Sequence, residues 1–292
     1  MILPVIRCVL LGLFLSNANA ADQVNVGFVA LPKQGFPESA YRVCNPSGDF
    51  GRSVASPPEQ TSSACFVSTP QLYQSENFAP VEGFKMVGML SADVPMLPQY
   101  ASKENNSVAI LTDTFWRNEA KTECILGTHL KMENVPLADG SFWEVNDIAR
   151  AGFAGKDIEV AYFYKPHTQD VGGNTEMLFR VGRTHTSVAT AKMGMLPTTK
   201  NAPPANTPIS QINAAAVSEN WVNFTTDVSF KDLDGSTRQM TSMFYIKYPC
   251  DGRDVVEKAG AMRLRTTGQN GQPLMEVIVP GLVPVDAEVE RF

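Results

Sequence analysis

KDIEVAYFYKPHTQDVGGNTEMLFRVGRTHTSV, residues 156–188, carries the reading of the fold. Two runs rich in β-branched and aromatic residues, 158–164 and 177–188, flank a connection that holds Pro166 and the Gly172-Gly173-Asn174 turn cluster. The stretch therefore reads as a β-hairpin or a pair of neighbouring strands. Strict alternation from Met177 puts Met177, Phe179, Val181, Arg183 and His185 on one side. A single-residue bulge at Gly182 would turn Arg183 and His185 to the side of Arg180. Arg180, Arg183 and His185 are then a candidate ligand-binding cluster for an acidic or sugar ligand. The structural alternative pairs the arginines with carboxylates such as Glu159 on the neighbouring strand.

Outward from this stretch the pattern repeats. Residues 84–90 (FKMVGML) and 108–116 (VAILTDTFW) read as strands separated by a turn at Pro95 and Pro98. Asp139-Gly140, inside 129–145, marks a hairpin turn. Asp234-Gly235-Ser236 repeats the Asp139-Gly140-Ser141 signal, too little to establish an internal duplication. Residues 274–279 (LMEVIV) are apolar enough for a strand buried on both faces. Helix is confined to a run opened by Thr207-Pro208 and continuing over 209–220, and to a short piece at 253–259. Many short strands, Gly/Pro/Asn/Asp turns and little helix predict a mainly β chain, an antiparallel β-sandwich of jelly-roll type.

The chain of 292 residues opens with MILPVIRCVLLGLFLSNANA. Arg7, a short apolar run and Ala18-Asn19-Ala20 read as a secretory signal, 1–20, removed after Ala20. No later segment reaches the roughly 20 apolar residues of a membrane helix. Residues 21–194 form an N-terminal β-sandwich region and 195–208 (MLPTTKNAPPANTP) a Pro-rich linker or long loop. The C-terminal β region, 209–292, either stands apart or belongs to the same domain. Without Arg7, 23 Lys and Arg face 30 Asp and Glu, a formal charge of −7, which disfavours nucleic acid as a partner.

Loss of Cys8 with the leader leaves Cys44, Cys65, Cys124 and Cys250, an even set for an oxidising compartment, periplasmic or extracellular. The short loop favours Cys44 with Cys65, leaving Cys124 for Cys250. Each bridge contributes about 2–4 kcal/mol. No C-x-x-C or C-x-x-H spacing suggests zinc, and no cofactor is implied.

Chemistry-bearing residues are sparse. Ser53 in Gly51-Arg52-Ser53-Val54-Ala55 lies in a Pro/Ser loop, not on the strand-to-helix turn a nucleophile elbow needs. His129, His167 and His185 are spread over three elements. Asp232-Leu233-Asp234-Gly235 lacks the rest of a calcium loop and reads as a turn. Asp157 with Glu159, and Glu144 with Asp147, are spaced like any solvent-facing carboxylates. Trp116, Trp143, Trp221, Tyr162 and Tyr164 read as core before they read as a sugar platform. The leading expectation is a non-enzymatic exported binding or cell-surface structural protein for a carbohydrate or protein ligand. A polysaccharide hydrolase using Asp/Glu is the alternative. A hydrolase needs two carboxylates converging in a cleft, whereas a binder needs only exposed aromatics or an open sheet edge.

Overall fold

The computed structural model describes residues 27–36, 40–44, 65–104, 106–163, 175–176, 178–185, 217–231, 238–266, 273 and 275–289. The leader, Ser53, Tyr164, His167, Asp232 to Asp234 and the Pro-rich 195–208 stretch lie outside them.

Two largely antiparallel sheets face each other. In the first, β1 (Val29–Leu31), β8 (Ile158–Phe163), β13 (Phe244–Pro249), β6 (Glu123–Met132), β5 (Ser107–Asn118) and β4 (Phe84–Pro95) lie side by side. Three short strands extend it: β3 (Phe66–Val67) runs parallel to β8, β12 (Met240–Thr241) joins β6, and β9 (Thr175–Glu176) runs parallel to β12. The second sheet has the order β15 (Met275–Pro284), β14 (Val255–Thr266), β7 (Glu144–Arg150), β11 (Val222–Ser229), β10 (Arg180–Gly182) and β2 (Tyr41–Val43). Strands from before and after the Pro-rich stretch interleave in both sheets: β13 lies between β6 and β8, and β7 between β11 and β14.

Alternation fills the space between the sheets. Leu111 and Phe115 of β5, Leu126 and Leu130 of β6 and Ile246 of β13 meet Ile148, Met262, Leu264, Val277 and Phe224 in one buried cluster. Phe224 stacks on Phe244 across the gap, with ring centroids 5.1 Å apart and planes 14° from parallel. The apolar face of each sheet is thereby removed from water, at roughly 25 cal/mol per Å² of apolar surface. The outer face of the first sheet has its own cover. Thr69 caps the single described helix, α1 (Pro70–Gln74), by accepting from Leu72 N–H at 3.4 Å, and Pro70 supplies a preset first turn. Leu72 packs with Trp116, Tyr245 and Phe163, while Trp116 Nε1 donates to Asn77 O at 3.0 Å. The Trp116 ring lies against Gly127, where an added Cβ would sit 2.6 Å from it.

Both disulfides join the expected partners, Cys44 with Cys65 and Cys124 with Cys250, with Cα atoms 5.3 and 5.8 Å apart.

Several local expectations are corrected. The two runs of residues 156–188 do not pair: β8 belongs to the first sheet and β10 to the second. Alternation is a local property, and it does not say which sheet receives a strand. The Asp139-Gly140 turn forms, with Gly140 at φ +83° and Ser141 donating to the Asp139 carboxylate. It passes the chain from β6 in one sheet to β7 in the other rather than closing a hairpin. Residues 253–259 are not helical, because β14 pairs along most of its length with β15. The described end of the other expected helix, 217–220, is not helical either. There Asn220 instead accepts from Gly152 and Phe153 N–H through its side-chain oxygen. β15 is an edge strand, with Ile278 53% exposed, so one of its faces is open.

Candidate functional site

The predicted arginines occupy different surroundings. β10 pairs with β11 and β2 through Gly182 without a register shift, and Val181 lies in the core, so Arg180 is on the outer face of the second sheet. Its guanidinium stacks 4.3 Å from the Tyr41 ring centroid and its Nε donates to Thr225 Oγ1 at 3.2 Å. The ladders continue this row from Thr225 to Asp147, Arg265 and Glu276. Arg265 reaches Asp147 at 3.4 Å and Glu276 through its Nε, and Arg263 reaches Glu276 at 3.2 Å. Burial raises the Asp147 carboxyl, partly offset by Arg265, and lowers the Arg180 guanidinium. For Arg265, burial alone would act downward, but the Asp147 and Glu276 carboxylates reverse it. On this face Arg263, Arg265, Asp147 and Glu276 form one linked network of charges, with Arg180 beside it on Tyr41 and Thr225.

Arg183 keeps to the side of Val181 and is buried. It donates to the carbonyls of Leu31, Phe153, Glu219 and Lys156, tying the first sheet to two loops at one end of the sandwich. Burial takes its guanidinium down to about 10. His185 is half-buried beyond the end of β10. The bulge that would have gathered these residues is therefore not formed at Gly182. The proposed carboxylate partner, Glu159, pairs with Lys247 instead, and Asp157 with Lys33 at 3.1 Å. Glu144 and Asp147 have separate partners, Asn146 donating to Glu144 and Arg265 to Asp147. Trp116, Trp143, Trp221 and Tyr162 are all buried.

A concave site lies elsewhere, and sequence reasoning missed it. Where β13 ends, Cys250 is anchored to Cys124, and the chain turns through Asp251-Gly252-Arg253-Asp254 into β14. Gly252 adopts φ +82°, which suits glycine, and Asp251 accepts from Arg253 N–H at 3.2 Å to close the turn. Beside it, the end of β15 and the loop carrying Lys156 complete a cavity of about 260 Å³ lined by Lys156, Tyr248, Asp251, Arg253, Asp254 and Asp286.

Each carboxylate in the cavity is held by a cation. Arg253 Nε donates to Asp251 at 2.6 Å and its Nη2 reaches Asp286 at 3.4 Å; Lys156 Nζ lies 3.3 Å from Asp286. Arg117 Nη1 donates to Asp254 at 2.8 Å and to Gly252 O at 2.7 Å. The turn hydrogen bond from Arg253 N–H holds the Asp251 carboxyl below its ordinary range, and burial pushes the Tyr248 phenol up. The sequence signal for this site was the Asp251-Gly252 pair directly after Cys250, a turn marker as strong as Asp139-Gly140.

No protein-family model, curated protein or solved structure matches this chain.

No described helix is long and apolar enough to cross a membrane. Among the described residues no group of three His, Cys, Asp or Glu side chains is placed to hold a metal ion.

Proposed function

We propose that this protein is an exported, non-enzymatic β-sandwich that binds a carbohydrate in the Asp251–Asp286 cavity. The observation that carries the reading is the alternation of carboxylate acceptors with guanidinium and ammonium donors around a space of about 260 Å³. Sugar hydroxyls both donate and accept, and planar carboxylate and guanidinium groups take adjacent hydroxyls in pairs. The volume lies just below the roughly 300–1,000 Å³ of drug-sized sites, which suits one sugar ring at a time. The two disulfides agree with an oxidising, exported setting.

In this cavity a hydrolase would have to draw on the same three aspartates. A glycosidase acid, however, keeps its proton through burial in an apolar pocket. Asp251, Asp254 and Asp286 are instead exposed, and they face Arg253, Arg117 and Lys156.

Calorimetric titration of the exported protein with a panel of mono- and disaccharides tests the reading, with release of reducing ends measured in parallel. Asp286→Asn and Arg253→Ala are each expected to weaken the sugar that binds on the order of 10–100-fold, the worth of a charge-assisted hydrogen bond. Failure of every sugar to bind, or turnover of a polysaccharide, would defeat it.

A further inference from the structure

β4 is twelve residues long and, among the described residues, hydrogen-bonds to another strand on one side only, with β5. Met86, Val87 and Met89 are 51, 43 and 57% exposed, so three of the eight large exposed hydrophobic residues among the described residues fall within four positions of one edge strand. Soluble proteins blunt such edges with charge, proline or a bulge. Here a bulge lies between Met86 and Gly88, while Lys85, Asp93 and Pro95 stand only at the ends. Residues 86–92 are left uncharged, with an open row of backbone donors and acceptors.

The charges at the two ends identify an occupant. Lys85 stands opposite Arg117 in the ladder, so the Phe84 end is cationic, although Arg117 also serves Asp254. Asp93 stands opposite Ile110, its hydrogen bond being from Ser107 Oγ at 3.4 Å, so the Pro95 end is anionic. The strand is thus positive at its start, neutral and apolar at its centre, and negative at its close. An antiparallel strand with the same order of charges reverses these signs at both ends, and β4 is itself such a strand.

We propose that β4 pairs antiparallel with β4 of a second copy of this chain, about a two-fold axis near Met89, to join the two first sheets into one. Met89 then meets its own counterpart, and the Lys85 end of each strand lies alongside the Asp93 end of the other. The contact is isologous, so it closes as a dimer and does not propagate into fibres. It uses no residue that lines the cavity, so it stands or falls separately from the carbohydrate reading.

The full exported chain is tested by light scattering and sedimentation across a dilution series, with circular dichroism to confirm folding. A concentration-dependent dimer is expected, and Met89→Lys should make it monomeric. Ile278→Lys, on the edge of the other sheet, should leave it dimeric. Lys85→Asp should weaken the dimer at least tenfold, and adding Asp93→Lys should restore it. Under mild oxidation Met89→Cys should cross-link to itself, while Lys85→Cys, far from the axis, should not. A wild-type monomer at every concentration would overturn the proposal, as would a dimer indifferent to Met89→Lys. A chain that stays monomeric while its β4 amides gain exchange protection only from a different polypeptide would overturn it in favour of another partner.

Discussion

Asp113 offers the most demanding test of how the two sheets are held together. It sits on β5 with its side chain in the core, and Arg150 on β7 meets it from the opposite sheet, both side chains 1% exposed. The contact is forked: Arg150 Nη1 donates to Oδ1 at 3.0 Å and Nη2 to Oδ2 at 2.9 Å. Thr128 Oγ1 and Leu282 N–H add bonds to the same carboxylate, each at 2.8 Å, so β6 and β15 converge on it as well. Gly281 makes room for this approach, since an added Cβ would come within 3.1 Å of Asp113 and 2.6 Å of Met262. Asp113→Ala would strip the buried guanidinium of its counter-charge, leaving only the Thr128 hydroxyl and the Leu282 carbonyl to accept from it. Removing one partner of a buried ion pair costs about 3–5 kcal/mol. For a chain of this size that lowers Tm by about 6–20 °C. Joint replacement by Asp113→Leu and Arg150→Met removes both charges and should recover most of the loss. It should fall short by about 1–3 kcal/mol, because Leu282 N–H is left without its acceptor. Chemical denaturation of the three proteins decides the matter. If Asp113→Ala costs under about 1 kcal/mol, comparable to losing an exposed ion pair, the pair does not join the sheets.

Burial, with Lys131 second, takes the His129 imidazole from 6.5 down to about 4, although the Glu76 carboxylate lies 3.8 Å from its Nδ1. The folded state therefore binds fewer protons there than the unfolded chain, so this contribution to stability is present above pH 6.5 and is lost as pH falls to 4. His129→Gln should flatten that part of the stability profile in urea melts from pH 8 to 4, and parallel profiles would show that burial does not govern this group. Arg183→Met should cost about 3 kcal/mol or more by removing the shared donor of four backbone carbonyls, of which Phe153 O keeps Lys156 N–H, with sugar binding unchanged. Lost binding at unchanged stability would return Arg183 to the role of ligand contact.

Much of the sandwich was legible because the signals were local. β4 and β5 follow from alternation around a Pro-rich turn, and the cysteine pairing follows from an even count and a short loop. Sheet membership was not legible. The runs 158–164 and 177–188 both read as strand from their β-branched and aromatic residues, yet β8 belongs to the first sheet and β10 to the second. β14 was misread because Glu257-Lys258-Ala259 are good helix formers and pairing with β15 outweighs their propensity. The Asp113–Arg150 pair was open to discovery. Leu111, Asp113 and Phe115 share one parity, as do Ile148 and Arg150, so the alternation already directed one carboxylate and one guanidinium inward. The cavity was less accessible, because Lys156, Arg253 and Asp286 come together only when three separate loops meet.

The two surfaces proposed for binding are built in opposite ways. Around the cavity the backbone is held repeatedly: Cys250 to Cys124, Arg117 to Gly252 O and Asp254, Arg253 to Asp251, and Lys156 to Asp286. Side chains already fixed in place lose little further freedom when a small ligand arrives, so a few polar contacts can show as affinity. β4 is tied along one side and carries long, adaptable methionines on its exposed stretch. Methionine fits an imprecise complementary surface better than a branched side chain does. An edge of that kind suits a large, repetitive contact in which each backbone hydrogen bond adds a little and the side chain at the two-fold axis, Met89, meets its own copy. A rigid polar pocket and a compliant apolar edge on one sandwich therefore favour two separate roles, recognition at the Cys250 end and self-association along β4. Arg117, which faces Lys85 in the ladder and grips Asp254, is one link from β4 to the cavity, and β15, which packs on β4 and ends at Pro284 in the cavity wall, is another. Arg117→Met should break the first link, and any difference in sugar affinity between monomer and dimer should then shrink, whereas an unchanged difference would assign the coupling to β15.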